Sequence, residues 1–129
     1  MGQGYVLDAD LRRAIEQYAM EIAKAFYEKQ GWSVFDVSVT HSYDLLCTSA
    51  TGKELHVEVK GTTSDGTQIS LTANEVTHAQ NFYPNVALFI LSHIQIDSTT
   101  PMTLNGGEIQ RLEAWNIGEG TLSPLAFSY

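Results

Sequence analysis

The feature that most constrains the fold is an almost unbroken apolar run from Val86 to Ile94, which follows Pro84. A run of this length is too short to cross a bilayer, because a membrane-spanning helix needs about 20 apolar residues. It is typical of a central strand that is buried on both faces of a sheet. The chain has 129 residues, of which 43% are hydrophobic, so it is long enough to cover such a sheet within one domain.

The segments before this run predict one helix followed by several strands. Apolar residues at helical intervals indicate a first helix from Asp8 to Gln30, with Asp8 as its N-cap and Gly31 as its C-terminal stop. A turn at Thr51-Gly52 joins the second and third strands into a hairpin. The strands are predicted from their β-forming residues over residues 32–39, 43–49, 54–62 and, as a short strand, 68–71.

A second helix and a looser C-terminal part complete the prediction. Residues 72–75 fit a capping box, so a helix begins at Thr72 and ends near Asn81. Residues 97–107 look like a linker, because they contain a proline and a pair of glycines. One or two edge strands are expected around residues 112–117.

Taken together, the elements predict one α/β (α+β) domain with a central mixed sheet flanked by helices, in the order α-β-β-β-(β)-α-β with extra C-terminal strands. We expect a core over about residues 8–95 and an extension over about residues 96–129. The N-terminus has neither a basic start nor an apolar stretch, which indicates a cytoplasmic protein that does not enter a membrane.

The third strand carries the residues that point to chemistry. Side chains alternate along a strand, so Glu58 and Lys60 share a face with His56. The hairpin partner brings a second carboxylate, Asp44, to the same edge of the sheet. Two carboxylates and the backbone carbonyl of Val59 are hard oxygen ligands that suit Mg²⁺. The lysine could then hold or deprotonate an attacking water.

Asp44, followed after thirteen residues by Glu58-Val59-Lys60, resembles the motif of the PD-(D/E)XK nuclease superfamily. More closely, about residues 11–95 resemble the C-terminal domain of the plant protein NO VEIN. The segments that carry this resemblance are Glu16, Gly31-Trp32, Asp36-Val37-Ser38, Tyr43-Asp44-Leu45, Glu58-Val59-Lys60-Gly61-Thr62, Leu71-Thr72 and Asn74-Glu75. The chain departs from the pattern at Tyr43, where the superfamily motif has proline, and at His41-Ser42, where relatives often have glycine.

The resemblance implies a restriction-endonuclease-like fold with Asp44 and Glu58 as metal ligands, Lys60 as the catalytic lysine and Glu16 as an accessory acid. It also implies Mg²⁺ as the cofactor, with Mn²⁺ as a substitute. In that family the domain often sits at the end of larger ATPase or restriction-type proteins. We therefore expect a fused or associated ATPase or DNA-recognition domain.

Two interpretations of function follow. The first is a metal-dependent DNA endonuclease module that acts in restriction, defence or DNA processing. The second is a catalytically inactive module that keeps the fold for protein or DNA docking in a larger assembly. The balance of 15 acidic against 7 basic residues, a net charge of −8, favours the second, because nucleic-acid binding usually needs clustered Lys and Arg.

Several further residues have expected roles around this site. Gln68 and Ser70 could line the same edge of the sheet as the two carboxylates. The four histidines (His41, His56, His78 and His93) lie in unrelated sequence contexts without ligand spacing, so zinc is not expected. The single cysteine, Cys47, is expected to be a buried thiol. A homodimer is also expected, with the apolar segment 122–129 as a possible contact, because two metal sites are needed to cut both strands of a duplex.

Overall fold

Five strands form one mixed sheet whose order in space is the same as their order along the chain. The computed structural model describes residues 2–120, and their side chains from residue 9 onward. The elements are α1 (Gly2–Lys29), β1 (Ser33–Asp36), β2 (Leu45–Thr48), β3 (Glu54–Gly61), α2 (Ala73–Phe82), β4 (Val86–Asp97), β5 (Thr103–Glu113) and a short 3₁₀ helix (Ile117–Glu119). Neighbouring strands are antiparallel except β3 and β4, which are parallel and are connected through α2. The predicted α/β class, mixed sheet and β2–β3 hairpin are confirmed.

The sheet is covered on both faces, as the apolar run predicts. Every residue of β4 from Val86 to Ser92 is buried. One core lies between the sheet and α1 and contains Val57 and Val59 of β3. The other core lies against α2 and the 3₁₀ helix. Because side chains alternate along β3, its polar residues at positions 56, 58 and 60 lie on the α2 side.

Helix α1 ends as predicted but begins earlier. Gly31 has a left-handed φ of 95°, and its N–H donates to the carbonyl of Glu28 at 3.0 Å, while the Trp32 N–H donates to the carbonyl of Tyr27 at 3.2 Å. This pair of bonds is a Schellman motif, which favours glycine at this position. The predicted N-cap at Asp8 is wrong, because α1 starts at Gly2. An aspartate inside a helix costs less than about 1 kcal/mol relative to alanine, so it does not force a helix to begin there.

The predicted strand over residues 68–71 is not formed. Both edges of β4 are already paired, with β3 on one side and β5 on the other, so this segment cannot add a strand beside β4. It instead places Ile69 and Leu71 against the core on the α2 side. The first strand is also shorter than predicted, because Asp36 turns the chain by accepting hydrogen bonds from the N–H and hydroxyl of Ser38.

The segment predicted as a linker belongs largely to the sheet. Strand β5 starts at Thr103 and runs through Gly106 and Gly107 opposite an irregular position at His93 of β4. Gly107 has a φ of 111°, and a Cβ there would lie 2.9 Å from the side chain of Leu91. The glycine pair therefore marks a distortion inside a strand and not a flexible connection. The edge strand expected around residues 112–117 ends at Glu113, and residues 122–129 lie outside the described part of the chain.

Candidate active site

A cavity of about 860 Å³ opens between the first half of α1 and the end of β3. Its wall contains all the residues that the sequence proposes for the site, namely Glu16, Asp44, Glu58, Val59 and Lys60. Gln68 and Ser70, which were expected at this edge, also line it. The structure thus brings together residues that lie up to 54 positions apart in the chain, from Glu16 to Ser70.

Asp44 is held in place by the backbone of the neighbouring strand. Its Oδ2 accepts a hydrogen bond from the Val59 N–H at 2.8 Å, and its own N–H donates to the carbonyl of Val57 at 3.1 Å. Burial raises the pKa of Asp44, while the Val59 N–H and a hydrogen bond with Glu58 act in the opposite direction. One carboxylate oxygen is therefore tied to β3.

Glu58 is the most deeply buried acid of the site, with 4% of its surface exposed. Burial, together with the negative charges of Asp44 and Glu75, raises its pKa to about 10, and the ammonium of Lys60 only partly offsets this. Glu58 is therefore protonated at neutral pH. Its single O–H can donate to one of the two neighbouring carboxylates, Asp44 or Glu75, at a time.

Lys60 lies between two acids. Its Nζ donates to Glu75 Oε1 at 3.1 Å and lies 3.5 Å from Glu58 Oε2. Burial lowers the pKa of Lys60, but the adjacent carboxylates outweigh this effect and raise it. Burial also raises the pKa of Glu75, but its hydrogen bond with Glu58 and the nearby Lys60 ammonium outweigh this and lower it. The charged pair in the cavity wall is therefore Lys60 with Glu75.

Glu75 is the site residue that the sequence analysis placed only in a helix cap. Its Oε1 accepts from the Thr72 N–H at 2.8 Å as well as from Lys60, and its N–H donates to Thr72 Oγ1 at 3.1 Å. The capping box is thus confirmed, and one oxygen both caps α2 and holds the lysine. The sequence does contain a signal for this contact. A helix that connects two parallel strands begins near the end of the first strand, so the start of α2 is expected beside the motif residues at the end of β3.

Glu16 reaches the cavity because α1 packs directly on the backbone at the end of β3. A Cβ at Gly61 would lie 2.8 Å from Ala19 Cβ and 3.1 Å from Ile15 Cγ2. Only glycine allows this close approach of helix and strand. Glu16 is exposed in the cavity wall and forms no ion pair with the other described residues.

A comparison with known protein families identifies the family of this chain. The family model for the C-terminal domain of protein NO VEIN matches residues 15–104, which is well over half of the chain. This chain belongs to that family. The match includes Glu16, Asp44, Glu58, Lys60 and Glu75. No curated protein and no solved structure matches the chain.

Two side chains of this NO VEIN C-terminal domain, Asp44 and Glu58, are suitable ligands for a hard divalent cation. Asp44 and Glu58 are adjacent carboxyl groups in the wall of an open cavity, and such oxygens suit Mg²⁺, which keeps several waters of its own. Within residues 9–120, no three His, Cys, Asp or Glu side chains lie where they could hold a metal ion together. Glu16 is thus in the wall of the cavity but not within a three-carboxylate cluster.

Three of the four histidines lie together in the structure, although their sequence contexts are unrelated. His41, His56 and His78 gather around Tyr43, whose ring stacks on His56 at a centroid distance of 4.1 Å. His56 Nδ1 lies 2.9 Å from His78 Nε2. Cys47 is fully buried, as predicted, and burial raises its pKa to about 12. Among the described residues, no helix is long and apolar enough to cross a membrane.

Proposed function

We propose that this domain is a metal-dependent endonuclease module of the PD-(D/E)XK type that hydrolyses phosphodiester bonds in DNA. The observation that carries the proposal is the meeting of Asp44, Glu58 and Lys60 at one wall of an open cavity, with the lysine ammonium 3.5 Å from the Glu58 carboxyl group. Asp44 and Glu58 would hold Mg²⁺ or Mn²⁺. The bound cation would neutralise phosphate charge and lower the pKa of a water ligand.

Lys60 could act as a general base or as a charged hydrogen-bond donor, and its charge state favours the second role. A lysine must be neutral to remove a proton from water, yet the carboxylates beside Lys60 raise its pKa. The ammonium therefore stays charged, donates a hydrogen bond to the attacking water or a phosphate oxygen, and stabilises the negative charge that develops there. Such electrostatic contributions are typically worth about a hundredfold or more in rate.

Asp44 and Glu75 set the positions around this lysine. The Val59 N–H holds one oxygen of Asp44, so that the carboxyl group cannot rotate freely. Glu75 holds the ammonium from the start of α2. Preorganised groups of this kind need little rearrangement when substrate arrives.

The experiment is a cleavage assay on plasmid DNA with Mg²⁺ or Mn²⁺, using the wild type and Lys60→Ala. Lys53→Ala is the matched control, because Lys53 lies in the exposed turn between β2 and β3. We expect metal-dependent cutting by the wild type and by Lys53→Ala, and none by Lys60→Ala. Undiminished cutting by Lys60→Ala would contradict the proposed role of this site.

Metal binding is tested separately by titration calorimetry with Mn²⁺. We expect weak binding by the wild type, because the cation must displace the proton of Glu58, and none by the Asp44→Ala, Glu58→Ala double variant, because it lacks both carboxyl ligands. Equal affinity of the two proteins would remove the metal site from the proposal.

A catalytically inactive docking module is the second candidate, and the net charge of −8 favours it. Few cations are available to hold a polyanion. A protein that binds no Mn²⁺ and cuts no DNA, although it is folded, would support this candidate.

A further inference from the structure

A stack of aromatic rings lies next to the acids of the candidate site. The rings of Tyr43 and His56 are 4.1 Å apart and inclined by 4°, and those of Tyr43 and His78 are 4.4 Å apart and inclined by 18°. His78 in turn stacks on Phe82 at 4.4 Å with an angle of 23°. Tyr43 and His56 are buried, whereas Phe82 is 47% exposed. The stack therefore runs from the interior to an open ring at the surface.

Helix α2 connects this open ring to the cavity. Glu75, His78 and Phe82 lie at positions i, i+3 and i+7 of the helix, and hence on one face of it. Seven residues span about 10 Å along a helix. Glu75, which accepts a hydrogen bond from Lys60, lies at one end of this helix face. Phe82 lies at the other end. A small second cavity is lined by Glu58, Glu75 and His78 together, which shows that the stack and the acids adjoin.

The stack is held rigidly from within. His56 Nδ1 lies 2.9 Å from His78 Nε2, and His56 Nε2 lies 3.2 Å from Glu54 Oε1. The ring of Phe82 also contacts His56, at a centroid distance of 4.6 Å. A ring that is fixed in this way offers a flat surface to a ligand without losing side-chain freedom on binding.

The small number of basic residues limits how the domain can hold a DNA substrate. The chain has seven basic residues, and three of them, Arg12, Arg13 and Lys60, line the cavity. Arg13 also forms an ion pair with Asp10. So few cations hold a nucleic acid weakly, but stacking of a base on an aromatic ring adds affinity without any charge. Within a duplex each base face is covered by its neighbours, so an internal base can stack on Phe82 only when it is unpaired.

We propose that Phe82 stacks on an unpaired base of a DNA strand whose phosphate enters the cavity beside Glu58 and Lys60. The inference rests on the proposed nuclease function and specifies its substrate as DNA with a single-stranded region.

The test is fluorescence anisotropy in the presence of Ca²⁺, with a fluorescein-labelled single-stranded DNA oligonucleotide and a blunt duplex of the same sequence. We expect tighter binding of the single strand by the wild type. Phe82→Ala and Phe82→Leu should each weaken single-strand binding about fivefold or more, while Phe82→Trp retains it, because only the aromatic replacement keeps a stacking face. Binding of the duplex should change little in all three variants.

Phe35→Ala is the matched control, because Phe35 is 53% exposed on β1 and belongs neither to the stack nor to the cavity wall. It should bind both probes like the wild type. Absence of a preference for the single strand, retention of binding by Phe82→Leu, or an equal loss in Phe35→Ala would each overturn the inference. These outcomes are independent of the cleavage assay: Lys60-dependent cutting without a role for Phe82 leaves the nuclease proposal standing, and Phe82-dependent binding without cutting leaves this inference standing.

Discussion

Two side chains at the candidate site, Glu75 and Glu58, each have two roles. The Oε1 atom of Glu75 caps α2 through the Thr72 N–H and holds the ammonium of Lys60. The carboxyl group of Glu58 is a candidate metal ligand and, at neutral pH, a neutral hydrogen-bonding partner of the acids on either side. Substitutions that separate these capacities are the most informative.

A comparison of Glu75→Gln with Glu75→Ala separates the role of Glu75 in capping α2 from the effect of its negative charge on Lys60. Glutamine still accepts the Thr72 N–H, as in the general form of the capping box, whereas alanine does not. We expect Glu75→Ala to be less stable than Glu75→Gln by about 1 kcal/mol, the usual contribution of a cap. Both variants should slow DNA cleavage, because both remove the negative charge beside the Lys60 ammonium.

Chemical denaturation and the plasmid assay measure the two effects. Equal stability of the two variants would show that the cap contributes nothing. Full cleavage by Glu75→Gln would show that the charge of Glu75 does not position the lysine.

Glu58→Gln should change how stability depends on pH in the absence of metal. The pKa of Glu58 is about 10 in the folded protein against 4.5 for an ordinary glutamate. As pH rises between these values, the unfolded chain loses a proton that the folded chain retains, so the free energy of unfolding falls. Glutamine does not titrate, and the variant should therefore gain stability over the wild type as pH rises.

Thermal unfolding in EDTA from about pH 5 to about pH 9 tests this sign. Glu21→Gln, an exposed position on α1, is the control and should keep the slope of the wild type. A Glu58→Gln protein with an unchanged slope would contradict the protonated state of Glu58.

At the scale of elements, the contact between α1 and β3 decides whether Glu16 reaches the cavity. Gly61→Ala would place a methyl group 2.8 Å from Ala19 Cβ, so the helix must move away from the strand. Overpacking of this kind typically costs about 1–3 kcal/mol. We expect lower stability and, because Glu16 moves with the helix, slower cleavage.

The double variant Gly61→Ala, Ala19→Gly restores part of the lost space. Its destabilisation should be smaller than the sum of the two single effects, which a double-mutant cycle measures. Ala25→Gly, at an exposed position of the same helix, gives the cost of a glycine in α1 without any contact to β3. Strict additivity would show that these two residues do not limit the packing of α1 on β3.

At the scale of the whole molecule, charge sets the strength of DNA binding. With a net charge of −8, we expect the isolated chain to bind blunt duplex DNA with a dissociation constant weaker than about 10⁻⁶ M at physiological salt. Another domain, a partner or a second copy would then hold the substrate. Anisotropy across a salt series with Ca²⁺ measures this affinity. Nanomolar binding with a steep salt dependence would contradict the expectation.

Features that depend on near neighbours in the chain can be predicted from the sequence alone. The alternation along β3, the apolar run of β4, the turn at Gly52 and the capping box at Thr72 all appear in the structure. Each is decided by backbone conformation or by side-chain period over a few residues, so local pattern was sufficient.

Pairings between distant segments cannot be predicted in this way, because they are established only when the whole chain folds. Residues 68–71 have a strand-like sequence but pair with no strand, whereas residues 103–106, which include the first of the two glycines, pair with β4. The contact of Glu75 with Lys60 and the stacking of Tyr43 on two histidines are likewise decided by folding. Such contacts depend on which strand edges and helix ends meet after folding, and that is set by competition among all elements for the two faces and edges of one sheet.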